Sequence, residues 1–270
     1  MHAPHKEECL DHCKDPMRQF RLDGKVALVT GAGEGIGAAI ALAFAEAGAN
    51  VILVARTVSK LEEVAAQARK AGPGRVMVAP CDVTHNDAMR ALIGTLPSLD
   101  IAINNAGTNY PGPFVDVSAE HLDTMLTLNV RSYFVVAQAA VKKMLESNTA
   151  RSGGRSVINI SSQMGHVGAP ERSAYCMTKH AVEGLTKAMA VELAQRNIRV
   201  NSIAPTFIDT PLIRRIVDTH EKHVALVSCI PLARLGCVED VASAAVYLAS
   251  PAAAMITGTC LATDGGWTAQ

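Results

Sequence analysis

Short apolar runs alternate with stretches of helical period along almost the whole chain. KVALVT (25–30) and VILVA (51–55) hold few polar residues and show no strict apolar–polar alternation. Runs of that kind read as strands buried on both faces. RVMVAPC (75–81), LDIAIN (99–104), RSVINIS (155–161), IRVNSIA (198–204) and GTCLATD (258–264) read the same way. Between them, IGAAIALAFAEAGAN (36–50) has a helical period and closes on Gly48, and SKLEEVAAQARKAG (59–72) closes on Gly72. The longest helical stretch runs from Ser118 to Glu146, and another lies near 239–249. About seven strands alternating with helices of this length predict an α/β fold: a doubly wound parallel sheet with helices on both faces. The pattern is unbroken from 25 to 266, so one domain is expected over 22–270, with residues 1–21 as a flexible N-terminal extension.

Composition narrows the function. The chain has 270 residues, 49% of them hydrophobic, with 25 basic and 25 acidic side chains. A balanced charge gives no general attraction to nucleic acid or to an anionic membrane. No apolar run approaches the roughly 20 residues that span a bilayer, and the start of the chain shows no apolar signal core. The seven cysteines are odd in number and scattered, which fits a reducing cytoplasm rather than a disulfide framework. Cys9 and Cys13 lie near His2, His5 and His12, but their spacing fits no zinc pattern, and no metal is expected.

The first strand runs directly into TGAGEGIG (30–37), which opens a helix. Glycines there let the backbone turn sharply and approach a pyrophosphate, while the helix presents free N–H groups to it. Strand, glycine turn and apolar helix in that order point to a Rossmann-type dinucleotide site, with Gly31, Gly33, Glu34, Gly35, Ile36 and Gly37 as cofactor contacts.

The spacing TGxxxGxG resembles that of the short-chain dehydrogenase/reductase family. Four further matches carry the resemblance: NNAG (104–107) at the end of the fourth strand, Asn129 in the long helical stretch, Ser162 after ISS and 13 residues before Tyr175, and YCMTK (175–179) as YxxxK. The likeness extends from Leu22 to Trp267 and includes the closing DGGW. It implies an NAD(P)-dependent oxidoreductase interconverting a secondary alcohol and a carbonyl, with Asn129, Ser162, Tyr175 and Lys179 as the catalytic set. It implies that Asp82 and Val83 contact the adenine, that Asn105, Ala106 and Gly107 flank the adenosine ribose, and that Lys179 holds the nicotinamide ribose. Pro205, Thr206, Ile208 and Thr210 would face the nicotinamide; Thr206 stands where the family usually has glycine. Asn129 would hold a relay water. A homotetramer is implied as well.

The residues suggest a division of labour. Tyrosine ionises near pH 10 and is a poor base at neutral pH. Lys179 lies one helical turn from Tyr175. At about 6 Å and an effective dielectric near 20, its charge would favour the phenolate by roughly 3 kcal/mol, about a hundredfold in proton affinity. Lys179 is therefore expected to lower the Tyr175 pKa. Ser162 is expected to hydrogen-bond the substrate oxygen.

Cofactor and substrate preferences are read less directly. Ala55 and Arg56 end the second strand where an acid would select NAD(H), which favours NADP(H), with NAD(H) as the alternative. Glu34 points the other way, unless it pairs with Arg56. Gln163, His166 and Glu171 fall between Ser162 and Tyr175, and Gln163 and His166 are the substrate-pocket candidates. Their polarity favours a sugar acid or polyol over a steroid, with a 3-oxoacyl compound also open. The segment 211–236, with Arg214, Arg215, His220 and His223, takes the place of a substrate lid, and its charges read as a solvated face. Two other classes stay open: an epimerase or dehydratase using the same residues, and a nucleotide-binding subunit without catalysis.

Overall fold

The apolar runs become seven strands of one parallel sheet. In the computed structural model, which describes residues 16–146, 153–217 and 219–270, these are β1 Val26–Thr30, β2 Asn50–Ala55, β3 Val76–Pro80, β4 Ile101–Asn104, β5 Arg155–Ile160, β6 Ile198–Pro205 and β7 Cys260–Thr263. Their order is β3-β2-β1-β4-β5-β6-β7. The register sets Thr30 beside Val54 and Asn104 beside Asn159. Between β1 and β4 the strand order reverses, which opens a crevice at the carboxyl ends of the strands.

Alternate residues of each strand serve opposite faces. Ala27 and Val29 pack with α1 (Gly35–Glu46), α2 (Val58–Ala71) and α9 (Val238–Ala249), through Ile40, Phe44, Leu61, Val241 and Leu248. Leu28 packs on the other face with α3 (Asn86–Thr95), α5 (Ser132–Glu146) and α6 (Ser173–Leu193), through Met89, Ile93, Val136 and Met144. Both faces are thus covered, as the unalternated runs implied.

One element differs from expectation. The stretch 118–146 is not one regular helix. α4 (Ala119–Met125), whose cap Ser118 accepts from the His121 N–H at 3.2 Å, passes into a wide π turn over Leu126–Arg131 before α5. One extra residue in a turn barely disturbs an apolar period, so the pattern could not reveal it; such π turns often mark functional positions. At the N-terminal side, Pro16–Phe20 form a 3₁₀ turn, Phe20 lies 6.1 Å from the Tyr247 ring, and Leu22 is fully buried. Cys9, Cys13 and the histidines near them lie outside the described residues. The segment after β6 forms α7 (Pro211–Ile216) and α8 (His220–Val227), and Arg214 is an exposed partner of Asp209 at 2.7 Å.

Candidate active site

The glycine turn between β1 and α1 forms one wall of a cleft of about 830 Å³ at the strand-order reversal. Gly31 and Gly35 have φ of +65° and +57°, a region side chains rarely enter. A Cβ on Gly37 would lie 2.2 Å from the Gly31 carbonyl oxygen. Only glycine lets this turn close and leave the α1 amide groups facing the cleft. The turn is held from across the sheet: Asn105 Nδ2 donates to the Thr30 carbonyl at 2.9 Å, and the Asn105 N–H donates to Thr30 Oγ1 at 2.9 Å. Asn105, read from sequence as a ribose neighbour, lines the cleft and also clamps the turn.

Gly31, Gly33, Glu34, Gly35, Ile36, Arg56, Asp82, Val83, Asn105, Ala106, Gly107, Pro205, Thr206 and Thr210 all line this cleft. Ile208 lines the adjoining pocket instead, and Gly37 stands behind the turn. Thr210 caps α7, accepting from the Ile213 N–H at 3.4 Å. Asp82 accepts from the Thr84 N–H and hydroxyl at 2.9 and 2.7 Å. Burial resists its ionisation, but those bonds, with Arg56 nearby, hold its carboxyl below the usual range. Glu34 forms a short ion pair with Lys60, not with Arg56. Lys60, in the first turn of α2, is a cleft residue the sequence reading passed over, although it stands four positions after Arg56 in the same segment.

At the other end of the cleft, β5 delivers Ser162 and α6 delivers Tyr175 and Lys179. Lys179 is buried; its Nζ donates to the Ile160 carbonyl at 2.9 Å and lies 5.6 Å from the centre of the Tyr175 ring and 5.3 Å from that of Tyr133. The Tyr133 hydroxyl donates to the same carbonyl at 3.0 Å. Tyr133 is a further neighbour of the site that no motif announced. Asn129 is fully buried in the π turn: its Oδ1 accepts from the Thr108 N–H at 2.9 Å, and its Nδ2 donates to the Thr108 carbonyl at 2.8 Å and to Thr178 Oγ1 at 3.2 Å. Both amide hydrogens are engaged, so this side chain locks the 105–109 loop to α6 next to Lys179.

One expectation is corrected. Tyr175 does not sit below its ordinary pKa in the folded chain: burial pushes it up to about 12, while the Ser162 hydrogen bond opposes that rise. Burial also brings Lys179 down to about 8, with Glu183 working against the drop. The neighbouring charge alone would favour the phenolate, but desolvation dominates for both groups. Alone, the chain holds a neutral phenol beside a lysine that titrates close to physiological pH.

A smaller pocket of about 150 Å³ opens beside Ser162 and Tyr175. Gln163 lines it and is buried. His166 does not. Its ring turns away to Glu183, at 3.4 Å, and to Cys260, at 3.1 Å. The strand-end loop makes a 3₁₀ turn over Gln163–Gly165, which sends the two candidates to opposite sides. Arg172 and Asn109 line the pocket without having been foreseen.

A family model described as enoyl-(acyl carrier protein) reductase matches residues 31–268. D-threitol dehydrogenase of Mycolicibacterium smegmatis is 39% identical over 92% of this chain and 95% of that protein. The crystal structure of a short-chain type dehydrogenase/reductase from Mycobacterium marinum has a TM-score of 0.86 at 39% identity, covering 94% of this chain and 99% of the other. This chain belongs to the short-chain dehydrogenase/reductase family. It is an oxidoreductase. A gluconate 5-dehydrogenase from Burkholderia cenocepacia, solved with NADP and tartrate, has a TM-score of 0.88 at 33% identity over 95% of this chain and all of that one. A nicotinamide cofactor fits the cleft of this short-chain dehydrogenase/reductase, because the glycine turn and the N-terminal end of α1 line it, and glycine at 37 lets that turn close without a clash against Gly31. No helix among the described residues is long and apolar enough to cross a membrane.

Proposed function

We propose that this protein is an NADP(H)-preferring oxidoreductase of a small polyhydroxylated alcohol–carbonyl pair, such as a polyol, ketose or sugar acid. One observation carries the substrate class. Asn109, Gln163, Arg172 and Thr206, two amides, a guanidinium and a hydroxyl, line the pocket beside Ser162 and Tyr175. Amide, hydroxyl and guanidinium side chains around one cavity suit a ligand with several hydroxyls, or hydroxyls and a carboxylate. The threitol and gluconate dehydrogenases among the relatives support the same class.

Bound in the cleft, the nicotinamide supplies or accepts the hydride. The chain handles the proton. Tyr175, with a pKa of about 12, donates its hydroxyl proton to the carbonyl oxygen during reduction. Ser162 accepts from the Met164 N–H at 3.2 Å and bonds the Tyr175 hydroxyl; a substrate oxygen entering between them would take over that hydroxyl hydrogen. Lys179 then faces the new phenolate with a positive charge. Asn129 fixes Thr108 and Thr178 around it. For the cofactor, Arg56 would clamp a 2′-phosphate, and the Glu34–Lys60 pair removes the repulsion that Glu34 would otherwise exert. Pairing through α5 and α6 into a homotetramer is supported by exposed Phe134, Met177 and Val191 on those helices.

The test is nicotinamide absorbance with NADPH and NADH over a panel of ketoses, keto acids of sugars, a 3-oxoacyl thioester and a ketosteroid. Highest kcat/KM for a polyhydroxylated member with NADPH is expected. Turnover of the thioester or steroid alone would overturn the substrate class.

A further inference from the structure

His166, Glu183 and Cys260 come from three elements that are far apart in sequence: the loop after β5, the middle of α6 and the start of β7. Their Nε2, carboxylate oxygen and Sγ atoms lie within 4.8 Å of one another. Nε2 to Sγ is 3.1 Å and Nε2 to Oε1 is 3.4 Å. Around one tetrahedral Zn²⁺, ordinary bond lengths set a nitrogen and a sulfur about 3.5 Å apart and a nitrogen and an oxygen about 3.3 Å apart. The donors therefore already stand near the spacing that a single ion requires.

An independent observation points to a ligand. Glu183 is 5% exposed, and its Oε1 is buried without a hydrogen bond, while Oε2 accepts from Ser202 Oγ at 2.8 Å. That carboxylate is fixed on one oxygen and faces an imidazole and a thiol with the other; burial, with Glu183 beside it, pushes the Cys260 thiol up to about 12, so a metal would bind by displacing the thiol proton. His166, at 3.4 Å, lacks hydrogen-bond geometry to Glu183 Oε1, and Lys179, one helical turn earlier, donates to the Ile160 carbonyl instead. The loop is shaped for the approach. A Cβ on Gly165 would lie 3.2 Å from Glu183 Cγ and 2.9 Å from Ser161 Oγ, so glycine allows the chain to settle against α6 and aim His166 inward. His166 keeps about a third of its side chain exposed, which provides an entry path.

We propose that His166, Glu183 and Cys260 form a zinc site, with a fourth position open to water, that ties the loop carrying Ser162 and Gln163 to α6 and β7. Imidazole, thiolate and carboxylate are the donors zinc favours. The site lies behind the catalytic loop and takes no part in hydride or proton transfer. The sequence showed no sign of it because the ligands follow no local spacing.

The test is titration of the full-length, chelator-treated protein with Co²⁺ and then Zn²⁺, without cofactor. The wild type should take up one ion per chain, with visible bands of a four-coordinate cobalt site and a thiolate charge-transfer band. Zn²⁺ should abolish both and raise the melting temperature. Cys260→Ser should lose the charge-transfer band. His166→Ala, at a partly exposed position that threatens folding least, should weaken uptake more than about tenfold. Cys9→Ser/Cys13→Ser should leave the bands intact. No cobalt–thiolate band in the wild type, a band surviving in Cys260→Ser, or one lost in Cys9→Ser/Cys13→Ser would overturn the proposal.

Discussion

Replacing Lys179 by methionine should make the protein more stable and almost inactive. Burial brings this lysine from its ordinary 10.5 to about 8. At pH 7 that corresponds to about 3 kcal/mol of opposition to folding. The substitution also removes the bond to the Ile160 carbonyl, about 1–2 kcal/mol. That oxygen still accepts from the Tyr133 hydroxyl at 3.0 Å, so it is not orphaned. Methionine fills a similar volume with a flexible chain. The net expectation is a gain of about 1–2 kcal/mol, or a melting temperature higher by about 2–6 °C for a chain of this size. The sign with pH follows from the direction of the shift. The folded wild type sheds the Lys179 proton near pH 8, whereas the unfolded chain keeps it to about 10.5. The wild type therefore gains stability across that window, and the advantage of the variant shrinks and disappears. Thermal melts of both proteins at equal chain concentration from pH 7 to 10.5 measure this. A variant that melts below the wild type at pH 7, or a gap that does not change with pH, would refute the reasoning.

Other outcomes follow from the same geometry. Reduction should fall through a single ionisation near pH 8 as Lys179 loses its charge, since Tyr175, at about 12, does not titrate there; the profile of kcat against pH reads it. Lys60→Ala should free Glu34 to repel a 2′-phosphate, raising KM for NADPH by about tenfold and leaving KM for NADH nearly unchanged in steady-state assays. Gln163→Leu should lower kcat/KM for a polyhydroxylated substrate about 10–100-fold while sparing a simple ketone, because it removes an acceptor only a hydroxylated ligand would use; equal losses for both would count against the pocket assignment.

What could be read from the sequence was what local spacing determines. The strands from Val26 to Thr263, the turn at Gly31, Gly35 and Gly37, and the one-turn separation of Tyr175 from Lys179 are properties of neighbouring residues. Contacts across the fold were not readable. The π turn at Asn129 arises where its side chain binds Thr108, 21 residues away. Glu34 meets Lys60 rather than Arg56 because the first turn of α2 brings Lys60 to the glycine turn. His166 leaves the substrate pocket because Glu183 and Cys260 stand behind it. The Tyr175 pKa moved opposite to expectation for a related reason: charge can be counted along a chain, but desolvation depends on everything packed around the ring.

In the proposed reaction Tyr175 is the group that moves the proton. Its most direct test compares wild type and Tyr175→Phe for NADPH-dependent reduction of the best polyhydroxylated substrate, with cofactor affinity measured separately by fluorescence titration. The variant should bind NADPH as the wild type does and lose about a thousandfold or more in kcat. A variant that binds NADPH normally and turns over within about tenfold of the wild type would contradict the mechanism.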